Sequence, residues 1–178
     1  MSFEHKAFEF DYDKFNLELR PRLEMALLSN EAENIKKFID DNLSDVKDPY
    51  EGNVLEESWE DLLEIKDVHQ YADFAITKYY DPTNDIGLGD GWERIQKVLL
   101  NESESLALIV LGSSVGERSN YFDPGKMGSY FQTPEQVEKN KMMLEVLLRH
   151  QHKYKLELSR LIDMFNEIES GKGLYVTF

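Results

Sequence analysis

The stretch from Asp90 to Val137 limits what this chain can fold into more than any other. Trp92, Ile95 and Leu99 recur at helical spacing, so a short helix is expected, capped by Asp90 with Glu93 and with Trp92 largely buried at the start of its apolar face. Six apolar residues, Leu106 to Leu111, then run up to Gly112. They do not alternate with polar residues, which predicts a strand covered on both faces at the centre of a small sheet. The stretch closes on Tyr130-Phe131-Gln132-Thr133-Pro134-Glu135-Gln136-Val137. Threonine at the N-cap, proline at the first helical position and glutamine at the third make this a helix start.

Before that stretch, helical patterns dominate. Phe8, Phe10 and Tyr12 alternate with Glu9 and Asp11 as a short strand. Pro21 suits the first turn of a helix reaching about Leu28. Asn30 with Glu33 reads as a capping pair ahead of Ile35, Phe38 and Ile39, and Asp48 to Gly52 reads as a turn. Asn53 with Glu56 then heads an acidic helix whose stripe is Leu55, Trp59, Leu62 and Leu63. Asp67 with Gln70 heads another, carrying Val68, Tyr71, Ala72, Ala75, Ile76 and Tyr79. Pro82 and the glycines at 87, 89 and 91 make 81–91 a loop.

After Val137, the residues Leu144, Leu147 and Leu148 continue a buried helical face, and the spacing lapses at Arg149 to His152. A second stripe follows in Tyr154, Leu158, Leu161, Ile162, Phe165 and Ile168. Gly171 stops it, and Leu174 to Phe178 reads as a final strand. The expected class is α+β, with several amphipathic helices on a small central sheet. One domain over 1–178 is expected, acidic and mainly helical over residues 1–80 and mixed over residues 81–178.

Composition narrows the function classes. A 178-residue chain that is 41% apolar and 12% aromatic has the material for a packed core. No run of about 18 apolar residues is present, so no membrane span is expected. Cysteine is absent, which excludes disulfides, thiol nucleophiles and thiolate metal sites. Met1-Ser-Phe-Glu-His-Lys lacks the apolar core of a signal peptide, so a cytoplasmic location is expected.

The net charge of −15 is unevenly spread: residues 1–100 hold 24 acids and 11 bases, residues 101–178 hold 11 and 9. Asp40 to Asp67 alone holds 11 acids and 2 lysines. Such a surface repels phosphate backbones, so no nucleic acid is expected as a partner. It is either a solvated face or a patch that steers a basic protein into contact.

The motifs that carry chemistry fail on inspection. Asp81, Thr83 and Asp85 stand at the first, third and fifth positions of a calcium loop. Ile86 then occupies the place of its glycine, and Trp92 that of its bidentate glutamate. Gly87, Gly89 and Gly91 have the wrong spacing for a dinucleotide turn. Gly112 to Ser119 offers Glu117 and Arg118 where a phosphate loop needs glycine and lysine. Ser113 and Ser114 read as turn hydroxyls. His150 and His152 point to different sides of a helix, and the four histidines read as surface residues. No catalytic residue, cofactor or metal is assigned.

A resemblance can be stated on these residues. Trp92 with Ile95 and Leu99 opens it, followed by the strand ending Leu111-Gly112. Phe131 before Thr133-Pro134-Glu135-Gln136-Val137 continues it, and the close is Gly171-Lys-Gly-Leu-Tyr-Val-Thr-Phe178. Together they resemble the YfbM-like bacterial domain of unknown function, over roughly the second half of the chain. The resemblance implies a mixed α and β fold and no activity. Where that family tends to place histidines beside the tryptophan and isoleucine, this chain has Glu93 and Gln96.

Two function classes follow. The first is a non-enzymatic protein-binding module, an immunity- or antitoxin-like acidic partner of a basic protein. Glu56, Glu57, Glu60 and Asp61 are its contact residues and Trp59 belongs to its core. The alternative is a small-molecule binder or hydrolase on the loops 81–91 and 112–130, using Trp92, Ser113, Ser114, Arg118, Tyr121, Asp123 and Tyr130.

Overall fold

The alternation of Phe8 and Phe10 does become a strand, but it stops at Phe10, because Asp11 caps a helix that begins with Tyr12. The computed structural model describes residues 3–150 and 153–178, and it opens with β1, Lys6–Phe10. Helices α1 (Tyr12–Glu18), α2 (Arg20–Ser29), α3 (Glu33–Asp40) and α4 (Val68–Ile76) follow. Next come α5 (Trp92–Glu102) and the short α6 (Glu104–Ala107), then strands β2 (Gly116–Glu117), β3 (Asn120–Tyr121) and β4 (Ser129–Gln132). Helices α7 (Pro134–His150) and α8 (Lys155–Asn166) and strand β5 (Gly173–Thr177) complete the order. The fold is α+β, as expected, and among the described residues no helix is long and apolar enough to cross a membrane.

The chain divides into two compact units, each assembled from separate stretches of sequence. One unit comprises Met1–Phe10, Asp85–Ser113 and Tyr130–Phe178; the other comprises Asp11–Asn84 and Ser114–Ser129.

In the first unit the sheet runs β1-β5-β4, with β1 and β5 antiparallel and Phe8 opposite Tyr175. Every residue from Gly173 to Val176 is buried, so β5 is the strand covered on both faces. Ala7, Leu174 and Val176 pack into an aliphatic core with Ile95, Leu99, Leu144, Leu158, Leu161 and Phe165 from the helices. Phe131 stacks on Tyr175 at 4.9 Å between ring centroids, and Phe10 lies 5.4 Å from Phe131.

Both sheet edges are closed by loops. Ile86 donates its N–H to the Ala7 carbonyl at 2.9 Å, and the Ala7 N–H goes to Asp85 Oδ1 at 3.0 Å. Gly87 sits so close to β1 that a Cβ there would overlap the His5 carbonyl. The glycine-rich loop therefore exists to cover an edge strand. On the far side, Ser113 and Phe131 form an isolated antiparallel bridge.

The expected central strand at 106–111 is a correction: the segment is helical. Ser103 accepts the Ser105 N–H and caps α6, which runs into a 3-10 turn at Leu108–Val110. Ile109 and Val110 are buried while Leu108 is 62% exposed, so one side of a helix faces outward. An apolar run of six fits a buried helical turn as well as a strand, and alanine and leucine favour the helix.

Trp92 is half-buried, less than expected, because its Nε1 donates outward to the Phe3 carbonyl at 2.9 Å while its ring packs on Phe178 at 4.9 Å. Gly91, not Asp90, is the N-cap of α5, and no side chain caps that helix. The start of α7 is as read: Gln136 N–H donates to Thr133 Oγ1, and Gln136 Oε1 accepts the Thr133 N–H at 2.8 Å. Helix α7 ends at His150 and α8 begins at Lys155; Arg149 and His150, where the spacing lapses, are still helical, and Gln151 and His152 lie outside the described residues.

In the second unit α2 packs on α1, α3, α4 and the β2–β3 hairpin. Its core gathers Phe15, Leu19, Leu23, Ile35, Ile39, Trp59, Phe74 and Ile76. Pro21 sits in the first turn of α2, and Asp67 caps α4 by accepting the Gln70 N–H.

Two other expected caps are corrected. Asn30 ends α2 in the left-handed conformation (φ +58°), a geometry asparagine tolerates, and Ala32 is the N-cap of α3. The acidic helix expected from Asn53 is only a 3-10 turn, Trp59–Leu62. Leu55 N–H donates to the Val46 carbonyl and Val54 bridges Lys47, so this backbone is already committed to extended pairing. Leu62, placed in a buried stripe by the sequence, is 51% exposed.

Candidate functional site

The acidic segment of the second unit hangs on Trp59. Its indole is 2% exposed, meets Tyr71 edge-on at 5.7 Å, and donates Nε1–H to Asp40 Oδ1 at 2.9 Å. Trp59 is thus core, as expected. Asp48 Oδ1 accepts the N–H groups of Tyr50 and Glu51 and fixes the turn that the sequence placed at 48–52.

The four acids singled out by sequence have unequal surroundings. Glu60 is half-buried and paired with Lys36 and Lys66. Glu56, Glu57 and Asp61 are exposed. Among the described residues, Glu60 is the one acid between Asp40 and Asp67 in an ion pair. The segment therefore presents a field that the chain's own cations leave largely uncompensated.

Asp73 lies beneath this segment, buried on α4, with the Tyr50 hydroxyl 3.4 Å from its Oδ2. Burial pushes its carboxyl up to about 7 against the lowering effect of the Tyr50 hydrogen bond, and the nearby Asp48 charge adds to the rise. Tyr50 is pushed up to about 12, by burial and then by the Asp73 charge. No pattern in the sequence distinguishes Asp73 from the other acids on helices.

The seven ligand candidates do not form one group. Tyr121 and Asp123 line a cleft of about 400 Å³ in the second unit, with Asp67, His69, Asn120 and Lys126. In the first unit Ser113 lines a different hollow of about 290 Å³ beside Gln132, Gln136 and Asn140. Trp92 and Tyr130 both lie against Phe178. Ser114 and Arg118 line none of these hollows.

His69 corrects the surface reading of the histidines, because it is half-buried and organises the 120–128 loop. The Asp123 N–H donates to Nδ1 at 3.1 Å, so the proton sits on Nε2, which faces Asn120 Oδ1 at 3.1 Å. The Asn120 amide in turn donates to the Leu27 carbonyl at 2.8 Å. Asp123 Oδ1 accepts the N–H groups of Met127 and Gly128. Both ring nitrogens and one carboxylate oxygen are thus engaged in holding the loop, which leaves no imidazole lone pair to take a proton from a substrate.

His5 is the second correction. It is fully buried, with Nδ1 accepting the Leu88 N–H at 3.2 Å and Nε2 facing the Val110 carbonyl at 3.0 Å. His150 is exposed. Among the described residues no group of three His, Asp or Glu side chains is placed to hold a metal ion. No family model matches this chain, and no curated protein and no solved structure is significantly similar to it.

Proposed function

We propose that this chain is a non-enzymatic protein-binding module whose acidic segment, Asp40 to Asp67, receives a basic protein partner, as an immunity or antitoxin protein masks a basic toxin. The observation that carries the reading is the segment's charge: 11 acids against 2 lysines, with only Glu60 ion-paired among the described residues. Exposed carboxylates without cations of their own attract a cationic surface over about a Debye length and speed its encounter. The alternative, a small-molecule binder or hydrolase on the 112–130 loop, has less support, since His69 and Asp123 are occupied in fixing that loop. The YfbM-like kinship is proposed for the second half of the chain on its helix starts and its closing strand; its element at Leu111-Gly112 is not a strand here.

The test is association kinetics with the basic protein captured from the native host, at low and at physiological salt. Glu56→Lys, Glu57→Lys and Asp61→Lys together are expected to slow association strongly and to flatten its salt dependence. Glu60 is left intact because its charge already serves Lys36 and Lys66. Equal rates for wild type and variant at both salt concentrations contradict the proposal.

A further inference from the structure

The acidic segment also contains a cleft lined by both apolar and polar residues. Val54, Leu55, Trp59 and Leu62 line a hollow of about 570 Å³, and Asp48, Glu51 and Glu56 are its charged lining residues, with no lysine or arginine among them. Val54 is 55% and Leu62 51% exposed, although both are large aliphatic side chains. They stand beside Leu55 and Trp59, which are buried. Resting on the reading above, we propose that this cleft is the docking site for a short basic segment of the partner, which inserts one aliphatic side chain between Val54 and Leu62 while flanking lysines or arginines meet Glu51 and Glu56.

The division of labour follows from the surroundings of each group. Exposed Glu51 and Glu56 attract cations but add little affinity in water, whereas removing an aliphatic side chain and the faces of Val54 and Leu62 from water adds affinity in proportion to area. Charge alone would accept any polycation, and the cleft selects those with an apolar residue at the right place. A second copy of this chain fits poorly, because it carries a net charge of −15 and would bring like charges together.

The probes are a fluorescein-labelled oligolysine with one central leucine, the same peptide with serine at that place, and an uncharged glycine-serine peptide keeping the leucine. Fluorescence anisotropy against the full chain is expected to show the leucine peptide binding about tenfold tighter than the serine peptide, as for one buried aliphatic side chain. Leu62→Ser should abolish most of that advantage and leave binding of the serine peptide unchanged. Val54→Ser provides the same readout if the first variant does not fold. Glu51→Gln with Glu56→Gln should weaken both lysine peptides alike.

Equal, salt-sensitive binding of both lysine peptides overturns the cleft and leaves the acidic-face reading standing. Failure of both lysine peptides to bind overturns the cleft and the acidic-face reading together. An uncharged leucine peptide binding as tightly as the charged one overturns the proposed chemistry of the occupant. So does concentration-dependent dimerisation that Leu62→Ser removes, which would assign the cleft to a second copy.

Discussion

His5 donates its Nε2–H to the carbonyl of Val110, 3.0 Å away across 105 residues of sequence, because its Nδ1 is already accepting the N–H of Leu88. One side chain thereby ties the loop that edges β1 to the helical turn after α6 within the same unit. The arrangement requires a neutral ring: a proton on Nδ1 would face the Leu88 N–H.

Burial holds the His5 pKa below the usual 6.5, against the raising effect of its bond to Val110. A histidine with a lowered folded pKa contributes stability that is fully present above 6.5 and is lost as pH falls below that value. Acid should therefore destabilise the wild type through this group. His5→Gln should cost about 1–3 kcal/mol at neutral pH through a lost buried hydrogen bond, and should show a smaller further loss on acidification. Thermal melts of both proteins across this window check it; parallel curves would remove His5 from the pH response.

Asp73 predicts the opposite sign. Its folded pKa is raised, by burial first, from 3.8 to about 7, so its contribution is fully present below 3.8 and is lost as pH rises through about 7. Asp73→Asn keeps the shape and removes the charge. It should raise the melting temperature on the alkaline side of 7, by roughly 2–4 °C per kcal/mol gained, and change little in mild acid. A variant that is less stable at every pH would mean that the carboxylate itself is needed, as a partner for Tyr50.

These two groups mark where the sequence stops being readable. Thr133-Pro134 and Asp67 with Gln70 act within a single helical turn, so spacing alone revealed them, and both cap as expected. The run at 106–111 and the acids at 53–63 are also local, yet their patterns fit more than one backbone. Pairing of Val54 and Leu55 with Lys47 and Val46 decides the second case, and helical spacing of the apolar residues carries no mark of that pairing. The His69–Asn120 contact spans 51 residues, and the Leu88–His5 contact spans 83. Histidine and acid positions that depend on such contacts carry no periodic signal. The acidic character of 40–67 was plain, but the exposure of Leu62 and the pairing of Glu60 were not.

The capping box at α7 gives a third prediction. Thr133 and Gln136 each satisfy the other's backbone N–H, at 3.2 and 2.8 Å. Thr133→Ala should cost about 1 kcal/mol, and adding Gln136→Ala should cost less than it does alone, since the two bonds share one turn. Urea denaturation of the two single variants and the double variant measures the coupling. Strict additivity would show that the two bonds act independently.

Glycines at positive φ supply the last prediction, because two of them separate strain from collision. Gly171 (φ +83°) has open space where a Cβ would stand, so Gly171→Ala should cost only the left-handed backbone penalty, roughly 1–2 kcal/mol. Gly112 (φ +111°) carries a comparable penalty and a collision: a Cβ there lies 2.5 Å from the Phe131 carbonyl oxygen and 2.8 Å from Gln132 Cγ. The carbonyl cannot retreat freely, since it accepts the Ser113 N–H at 2.9 Å while Phe131 donates to Ser113 at 2.8 Å. Gly112→Ala must break that bridge or displace β4, at a cost of about 3 kcal/mol or more. Urea midpoints of the two variants decide it. If Gly112→Ala is no worse than Gly171→Ala, the Ser113–Phe131 bridge yields without cost and does not protect the edge of β4.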